Sequence, residues 1–472
     1  GENGTLNDGD DRTYTVTTNG VGGYYFCGLI GDNSNYKLTY TTPANMTPTR
    51  TDIGSQINGG DADSDGSIMG MDLTNTMEEF SIANIMALPT GENSPIGNDD
   101  ATNLSGTFPD NQTDETFDQG FAFLDYGDLP ETGNGDDFST TMVDGGAVHV
   151  IIPGLSLGAN VDGERDGTPS FNASGDGADE NGIIFDTPLI PGNEACIKVS
   201  AVNTTGGNAV LQAWIDWDNS GTLDAGEELA FTNNGTVNGS ITNADFCFPV
   251  PANAQFNDGM VFARFRLRPG VANDAGALGP NGPAKYDNNM IVPQGEVEDY
   301  KLNVAKIGNL VFEDRDFDGV QDLGEPGINN VTVELRWAGE NGTLNNGDDR
   351  TYTVMTNSDG EYYFCGLVGN DPLSGSIDQN YKLTYTTPTD MTPTRTDTGD
   401  QTDGGDADSD GTIMGMDLSN TMEAFTIANV LALPTGENSP IGNDDATGPS
   451  GTFPDNQTDE TFDQGFAFLD YG

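Results

Sequence analysis

Apolar and polar residues alternate in short runs along this chain. Val331-Thr332-Val333-Glu334-Leu335-Arg336-Trp337 keeps the alternation strictly, and Thr351-Tyr352-Thr353-Val354, Tyr381-Lys382-Leu383-Thr384-Tyr385 and Ile197-Lys198-Val199-Ser200 follow it. Successive side chains of a strand point to opposite faces, so this period predicts strands with one covered face. Lys306-Ile307-Gly308-Asn309-Leu310-Val311-Phe312, Val210-Leu211-Gln212-Ala213-Trp214-Ile215 and Val261-Phe262-Ala263-Arg264-Phe265-Arg266-Leu267 read the same way. Gly, Asn and Asp fill the gaps, as turns require. No long stretch sustains a helical period. Met77 to Leu88 comes nearest, and β-branched residues and Asn interrupt it. Short strands with regular turn signals predict an all-β chain, a string of β-sandwich domains.

The pattern also repeats. Gly1-Glu2-Asn3-Gly4-Thr5-Leu6-Asn7 returns as Gly339-Glu340-Asn341-Gly342-Thr343-Leu344-Asn345, 338 positions on. After an insertion near Pro372 to Gln379 the spacing becomes 345, with Tyr36 answering to Tyr381. It stays there to the match of Phe121-Ala122-Phe123-Leu124-Asp125-Tyr126 with Phe466-Ala467-Phe468-Leu469-Asp470-Tyr471. Three domains are therefore expected: a partial copy at 1–126, a different module at 127–304, and a complete copy at 305–472. The first copy begins at the counterpart of Gly339, so it lacks the opening strands. A sandwich short of strands exposes edges and half a core. The expectation is a window from a tandem array whose missing strands lie upstream in the same polypeptide. The alternative is a filament subunit with strands donated between chains.

Composition narrows the picture. Lys plus Arg number 16 against 76 Asp plus Glu, a net charge of −60. Such a surface repels nucleic acid and anionic membranes. No apolar run is long enough to span a bilayer, so no membrane insertion is expected in this segment. Neither a signal peptide nor an initiator Met stands at Gly1, which fits a processed chain or a segment of a longer one. Aromatic runs such as Tyr24-Tyr25-Phe26 argue against simple acidic disorder. The acids instead cluster with Gly and Asn in loops, a pattern that suits bound divalent cations.

The strongest such loop runs from Asp314 to Glu325. Asp314, Asp316, Asp318, Asp322 and Glu325 stand at positions 1, 3, 5, 9 and 12, with Gly319 at 6 and the Val320 carbonyl available at 7. That is the spacing of an EF-hand calcium loop, in which alternate oxygens converge on one hard cation. A second loop repeats it: Asp216, Asp218, Ser220, Gly221, Thr222, Asp224 and Glu227. Ser at position 5 removes one charge and implies weaker binding. Strands rather than helices flank both loops, which speaks against a paired calcium-sensor domain. Asp406, Asp408 and Asp410, twinned with Asp61, Asp63 and Asp65, begin the pattern but lack the acid at position 9. Asn345, Asp348 and Asp349 (twins of Asn7, Asp10 and Asp11) and Asp176, Asp179 and Glu180 offer further oxygens, for which a solvated turn is an equal reading. The expected cofactor is calcium, several ions of it.

Four cysteines are present. Cys196 and Cys247 lie in strand-like runs of the middle domain and are expected to form a disulfide. Cys27 and Cys365 hold equivalent repeat positions in different domains and read as buried free thiols.

With these residues in view, the repeated segment resembles the calcium-binding B-type domain of the serine–aspartate repeat adhesins, a Cna-B-like sandwich. The strand Ile307 to Phe312, the loop Asp314 to Glu325 and Asp359-Gly360-Glu361-Tyr362-Tyr363-Phe364-Cys365-Gly366-Leu367 carry the likeness. So do the acids from Asp400 to Asp410 and the closing Glu460-Thr461-Phe462-Asp463-Gln464-Gly465-Phe466. It implies that calcium stiffens a stalk of tandem modules, with the metal role falling on Asp314, Asp316, Asp318, Asp322 and Glu325. Relatives of Cna-B type sometimes carry Lys–Asn isopeptide bonds, for which Lys306 is the one obvious candidate. The middle segment resembles the GEVED domain of bacterial secreted proteins, through Gly295-Glu296-Val297-Glu298-Asp299-Tyr300, Asp125-Tyr126-Gly127-Asp128-Leu129-Pro130, Ala213-Trp214-Ile215-Asp216-Trp217-Asp218 and Ala263-Arg264-Phe265-Arg266. That likeness implies an extracellular place and brings no catalytic residue.

The catalytic inventory is thin. His149, the single histidine, sits in a strand-like Val148-His149-Val150 and reads as a satisfied strand residue. No Ser elbow, phosphate loop or zinc set appears. The expectation is a non-catalytic, calcium-rigidified structural or adhesive segment at the bacterial surface. Its partners would be neighbouring repeats of the same protein and, on assembly, other copies in a fibre. A module that binds a surface glycan or protein is the competing class.

Overall fold

A computed structural model describes residues 9–29, 34–49, 74–76, 80–82, 119–131, 138–175, 177, 181–256, 259–271, 278–282, 292–308, 310–369, 379–394, 419–421, 425–427, 458–459 and 463–469. Among them every regular element is a β-strand except a single 3-10 turn, Ala225–Glu227. The all-β class read from the alternation is the one observed. Of the stretch nearest to a helical period, Phe80–Ile82 is a strand; the rest of Met77 to Leu88 apart from Phe80–Ile82 lies outside the described residues. No helix among the described residues is long and apolar enough to cross a membrane.

The chain divides into two units, one of Gly1–Leu124, Gly163–Arg165 and Tyr286–Ile291, the other of Asp125–Asp162, Asp166–Lys285 and Val292–Gly472. In the second unit, the middle segment is a sandwich. One sheet runs Thr236–Asn238, Asn208–Ile215, Met260–Pro269, Glu296–Asn303; the other runs Ile183–Ile184, Glu194–Asn203, Ile241–Pro249, with Leu155–Leu157 also on Glu194–Asn203. The period of two decides what each face meets. Leu211, Ala213, Phe265, Leu267 and Tyr300 turn inward with Ile197, Val199, Phe246 and Phe248 to fill the core between the sheets. The alternate residues of the first sheet, Trp214, Phe262 and Arg264, face a smaller cluster with Leu129 and Phe138. That second face is covered as well: Arg264, Arg266 and Arg268 are 0%, 1% and 5% exposed. An alternation of apolar and basic residues therefore marks a strand buried on both sides, not a half-exposed one.

Residues 305–472 build a second core from Val333, Leu335, Trp337, Tyr352, Tyr381, Leu383 and Tyr385. The central Gln379–Thr386 strand pairs with Thr332–Trp337 on one side and with Ser419–Thr421 and Phe425–Ile427 on the other, and Arg350–Met355 closes the edge. Val311–Glu313 and Ala305–Ile307 join Gln464–Ala467 and Phe364–Leu367, so the two ends of the segment meet.

The first unit repeats three of these strand pairings, whereas residues 12–17 and 26–29, the counterparts of Arg350–Met355 and Phe364–Leu367, are not in strands. Ser34 pairs with Ile82 as Gln379 does with Ile427. Thr39 faces Thr76 as Thr384 faces Thr421, and Thr47 faces Ala122 as Thr392 faces Ala467. The Tyr24 and Tyr40 hydroxyls lie 2.7 Å apart, as do those of Tyr362 and Tyr385. Near-identical sequence gives the same register because a slip of one residue would turn every apolar side chain outward.

Within the second unit the middle segment and residues 305–472 are joined without a linker. The Glu296–Asn303 strand leads through buried Val304 into Ala305–Ile307. The Leu189 amide donates to the Gly366 carbonyl at 2.8 Å. Ile190 belongs to the core of residues 305–472, and Val368 to the core of the middle segment, against which Cys365 also packs. Arg350 donates to the Glu194 carbonyl at 3.4 Å, and Lys198 pairs with Glu340 at 2.6 Å. Gly366 has φ of +78°, and a Cβ there would stand 2.3 Å from the Leu189 oxygen, so this contact requires glycine.

Candidate metal centres

The two acidic loops each leave a strand and return under a bridge. The Asp314 loop follows Val311–Glu313 and closes where Phe312 bridges Gly327; the Asp216 loop follows Asn208–Ile215 and closes where Trp214 bridges Glu228. Their interiors are built alike. In the first, Asp314 accepts hydrogen bonds from the Phe317 amide at 2.6 Å and the Gly319 amide at 2.9 Å. In the second, Asp216 accepts from Ser220 at 3.0 Å and Gly221 at 2.9 Å. The closing Glu325 accepts from the amides of Arg315 and, at 2.9 Å, Asp322. Glu227 accepts from the corresponding Trp217 and Asp224 amides, both at 2.8 Å. Position 4 takes a left-handed backbone in both loops, Phe317 at φ 66° and Asn219 at φ 54°, as do the glycines at position 6, Gly319 at 96° and Gly221 at 80°. That turn folds the chain tightly enough for acids on alternate residues to converge.

They do converge. One carboxylate oxygen each from Asp314, Asp316 and Glu325 lie within 4.8 Å of one another, as do those of Asp316, Asp318 and Asp322, and those of Asp216, Asp218 and Glu227. Asp314 and Asp216 are almost wholly buried, at 0% and 1% exposed. Burial pushes the Glu227 carboxyl up to about 7, against the pull of the Asp224 and Trp217 amides, and raises Asp216 as well. Carboxylates this close and this dry repel one another unless a cation or a proton intervenes. Each loop offers only oxygen, from carboxylates, from the Ser220 and Thr222 hydroxyls, and from the carbonyls at position 7, Val320 and Thr222. That donor set fits a hard dication such as calcium, which takes six to eight oxygens.

The remaining acidic candidates differ. Asp406, Asp408 and Asp410, their twins Asp61, Asp63 and Asp65, and Asp176, Asp179 and Glu180 lie outside the described residues. Asp348 and Asp349 turn to their own loop: Asp348 accepts from Asn341 at 2.6 Å and Asp349 from the Asn345 amide at 2.7 Å. Glu194 lies near Cys196 and Cys247. These two cysteines stand directly opposite on antiparallel strands with sulfurs 2.14 Å apart, at bonding distance, so they leave no thiolate for a metal. Cys365 is partly covered, but Cys27 is exposed, which corrects its reading as a buried thiol. Cys365 packs against the core of the middle segment and stands opposite Lys306 on the paired strand Ala305–Ile307; no such partner stands against Cys27 among the described residues. Lys306 lies over the Tyr363 ring at 3.7 Å, a cation–π contact.

The acids of Gly295 to Tyr300 are staples rather than ligands. Asp299 forms a doubly hydrogen-bonded pair with Arg264, at 2.7 and 2.8 Å, and also accepts the Asp128 and Leu129 amides at 2.7 and 3.0 Å. Glu298 accepts from the Asn181 and Gly182 amides, each at 3.0 Å, and from the Tyr300 hydroxyl at 2.9 Å. Glu296 accepts the Leu157 amide, and Asp125 the Val297 amide. The motif thus ties the opening turn and two strand ends to Glu296–Asn303, the last strand of its sheet. His149 is buried and accepts from Arg266 at 2.9 Å; burial and that guanidinium hold its imidazole well below the usual value, so it stays neutral. The joint through Leu189 and Ile190 leaves one local trace, two apolar residues set between Pro188 and Pro191 in a polar turn.

Comparison with known proteins agrees with the two modules. Residues 305–430 match the SdrD B-like domain, and residues 210–303 match the GEVED domain. Serine-aspartate repeat-containing protein D of Staphylococcus aureus (strain Newman) is 35% identical over 142 residues, 30% of this chain and 9% of that protein. Serine-aspartate repeat-containing protein F of Staphylococcus epidermidis (strain ATCC 12228 / FDA PCI 1200) is 34% identical over 180 residues, 38% of this chain and 10% of that protein. The matched stretch is thus about a tenth of the length of either relative. Among solved structures, a bacterial adhesin from Mobiluncus mulieris containing intramolecular disulfide, isopeptide and ester bond cross-links aligns over 61% of this chain and 98% of that one. The sequence identity is 9% and the TM-score 0.16, a likeness too slight to build on.

Proposed function

We propose that this chain is a calcium-rigidified structural and adhesive segment of a bacterial cell-surface protein, in which SdrD B-like modules alternate with GEVED modules. It lies outside the cell, carries no catalytic centre and works as a spacer that holds its shape when its loops are filled. The observation that supports this most is the shared interior of the Asp314 and Asp216 loops. Two different sandwiches bring the acids at positions 1, 3 and 12 within 4.8 Å of one another on the same amide scaffold. Asp314, Asp316, Asp318, Asp322, Glu325 and the Val320 carbonyl would hold one ion; Asp216, Asp218, Ser220, Thr222, Asp224 and Glu227 would hold another. The bound ion would neutralise acids that otherwise repel across each loop, and so fix the loop to its strands. The adhesin relatives are similar in sequence and support a surface role.

Thermal melting in calcium and in chelator tests the reading. Extracellular modules of this kind bind in the range of roughly 0.1–1 mM, so millimolar calcium is expected to raise the melting temperature. Equal melting in both buffers would end the calcium proposal.

A further inference from the structure

The two acidic loops are built alike inside but differ at position 2. In the Asp314 loop that residue is Arg315, exposed, whose guanidinium donates to the Gly324 carbonyl at 2.7 Å and to Glu313 at 3.0 Å. Those contacts stay within the loop and the strand it leaves. In the Asp216 loop it is Trp217, 5% exposed, whose indole enters the core of the GEVED module.

Trp217 is held at three points. Its amide donates to the closing Glu227 at 2.8 Å. Its ring meets the Phe256 ring edge to face, with centroids 6.3 Å apart. Its carbonyl accepts the Gln255 amide at 2.7 Å, so backbone and ring fix the same short stretch of chain. That stretch borders the joint with residues 305–472. A Cβ on Gly366 would stand 3.1 Å from the Phe256 ring, and the Gly366 carbonyl is the acceptor for the Leu189 amide. The Phe256 carbonyl accepts the Gly259 amide at 3.0 Å. The Gly259 carbonyl in turn accepts, at 2.9 Å, the amide of Val304, the residue before Ala305–Ile307.

We propose that Trp217 and Phe256 couple the Asp216 loop to the joint, so that filling this loop, and not the Asp314 loop, closes the GEVED module onto residues 305–472. The inference rests on the reading of the Asp216 loop as a calcium site. A cation among Asp216, Asp218 and Glu227 would relieve their repulsion and fix Glu227, and with it the Trp217 amide. In a close-packed core the indole cannot shift without moving the ring set against it, and that ring lies on Gly366. Calcium would then bind the closed joint better than the open one, which is what shifts the balance between them.

The Asp216 loop and the thiol nearest the joint lie in different modules, which permits a crossed test. Cys365 packs against the GEVED core and is partly covered. In a Cys27→Ser chain it is the free thiol, and its maleimide labelling is expected to slow about tenfold in millimolar calcium relative to chelator. Asp218→Ala should remove most of that slowing, although it leaves the module that carries Cys365 untouched. Asp316→Ala should keep it. Linkage demands the reverse effect as well: Gly366→Val, which forces the joint open, should weaken calcium at the Asp216 loop about tenfold in calorimetric titration and leave the Asp314 loop unchanged. Calcium bound at the Asp216 loop with no change in Cys365 labelling overturns the coupling and leaves the calcium reading standing. Slowing that survives Asp218→Ala but is lost in Asp316→Ala overturns it in the same way. No calcium bound at the Asp216 loop overturns both.

Discussion

Asp316 and Glu227 show how much the chemistry of a loop depends on single carboxylates. Asp316 belongs to both close carboxylate groups of its loop, one with Asp314 and Glu325 and one with Asp318 and Asp322. If the loop holds calcium as proposed, Asp316→Ala is expected to weaken that binding by about tenfold or more, the loss of one charged ligand. The Asp216 loop should be unchanged, and calorimetric titration would separate the two sites. Glu227 makes the pH dependence readable. Its folded value of about 7 lies above the ordinary 4.5, with burial as the main cause. In the metal-free protein the folded state therefore binds this proton more tightly than the unfolded one, so stability is lost as pH rises through the window from about 4.5 to 7. Calcium held as proposed would reverse the sense, since it needs the carboxylate, and its affinity should increase as pH rises through about 7. The net charge of −60 pushes metal-free stability the same way, so the decisive readout is the difference between the wild-type protein and Glu227→Gln. In chelator the variant is expected to lose less stability between pH 5 and 8, the interval that spans the raised carboxyl. Equal slopes would sink this account. Asp299 is a different kind of acid. It and Arg264 are both 0% exposed, so Asp299→Ala should destabilise the module by about 3–5 kcal/mol in denaturant melts, since a buried guanidinium is left unpaired.

Elements were legible in the sequence to the extent that a local pattern controls them. Strict alternation marked Thr332–Trp337 and Gln379–Thr386, and acid spacing marked both loops, because turn geometry is set within a dozen residues. The Met260–Pro269 strand shows the limit. Its arginines alternate like solvent-facing residues, yet Arg264 and Arg266 are buried, held by Asp299, His149 and the carbonyls of Gly279 and Asn281. Asp299 and His149 lie 35 and 117 residues from the arginines they meet, beyond any local window around the strand. The joint was hidden for the same reason, with only the Leu189–Ile190 pair between prolines as a trace. Cys27 was misread because burial is a property of the neighbours, and its twin Cys365 owes its cover to the middle segment's core and to the paired strand Ala305–Ile307. The remaining cysteines were legible as a pair, and their placement carries a prediction. Cys196 and Cys247 are cross-strand neighbours 51 residues apart in sequence. Closing a loop of that length restrains the unfolded chain, so reduction should cost about 2–4 kcal/mol. Reductant should lower the melting point of the wild-type protein and leave a Cys196→Ser, Cys247→Ser variant unmoved.

At the scale of the molecule the question is whether neighbouring modules unfold as separate beads or together. Two cores lie in the second unit, and each holds an apolar residue from the other side of the joint, Ile190 in one and Val368 in the other. A fully buried side chain of this size contributes roughly 1.5–3 kcal/mol, so pulling the modules apart uncovers enough apolar surface to compete with the stability of either one. The backbone bond from Leu189 to Gly366 and the Arg350 contact lie at the same place, with no flexible linker to absorb a separation. The two modules are therefore expected to melt in one calorimetric transition. Gly366→Val tests this, because its side chain would meet the Leu189 oxygen while either core keeps its own residues. The variant should split the transition in two, with the GEVED module, tied by Cys196–Cys247, melting separately from residues 305–472. Two transitions already present in the wild-type protein, unmoved by the substitution, would mean that the joint joins without coupling.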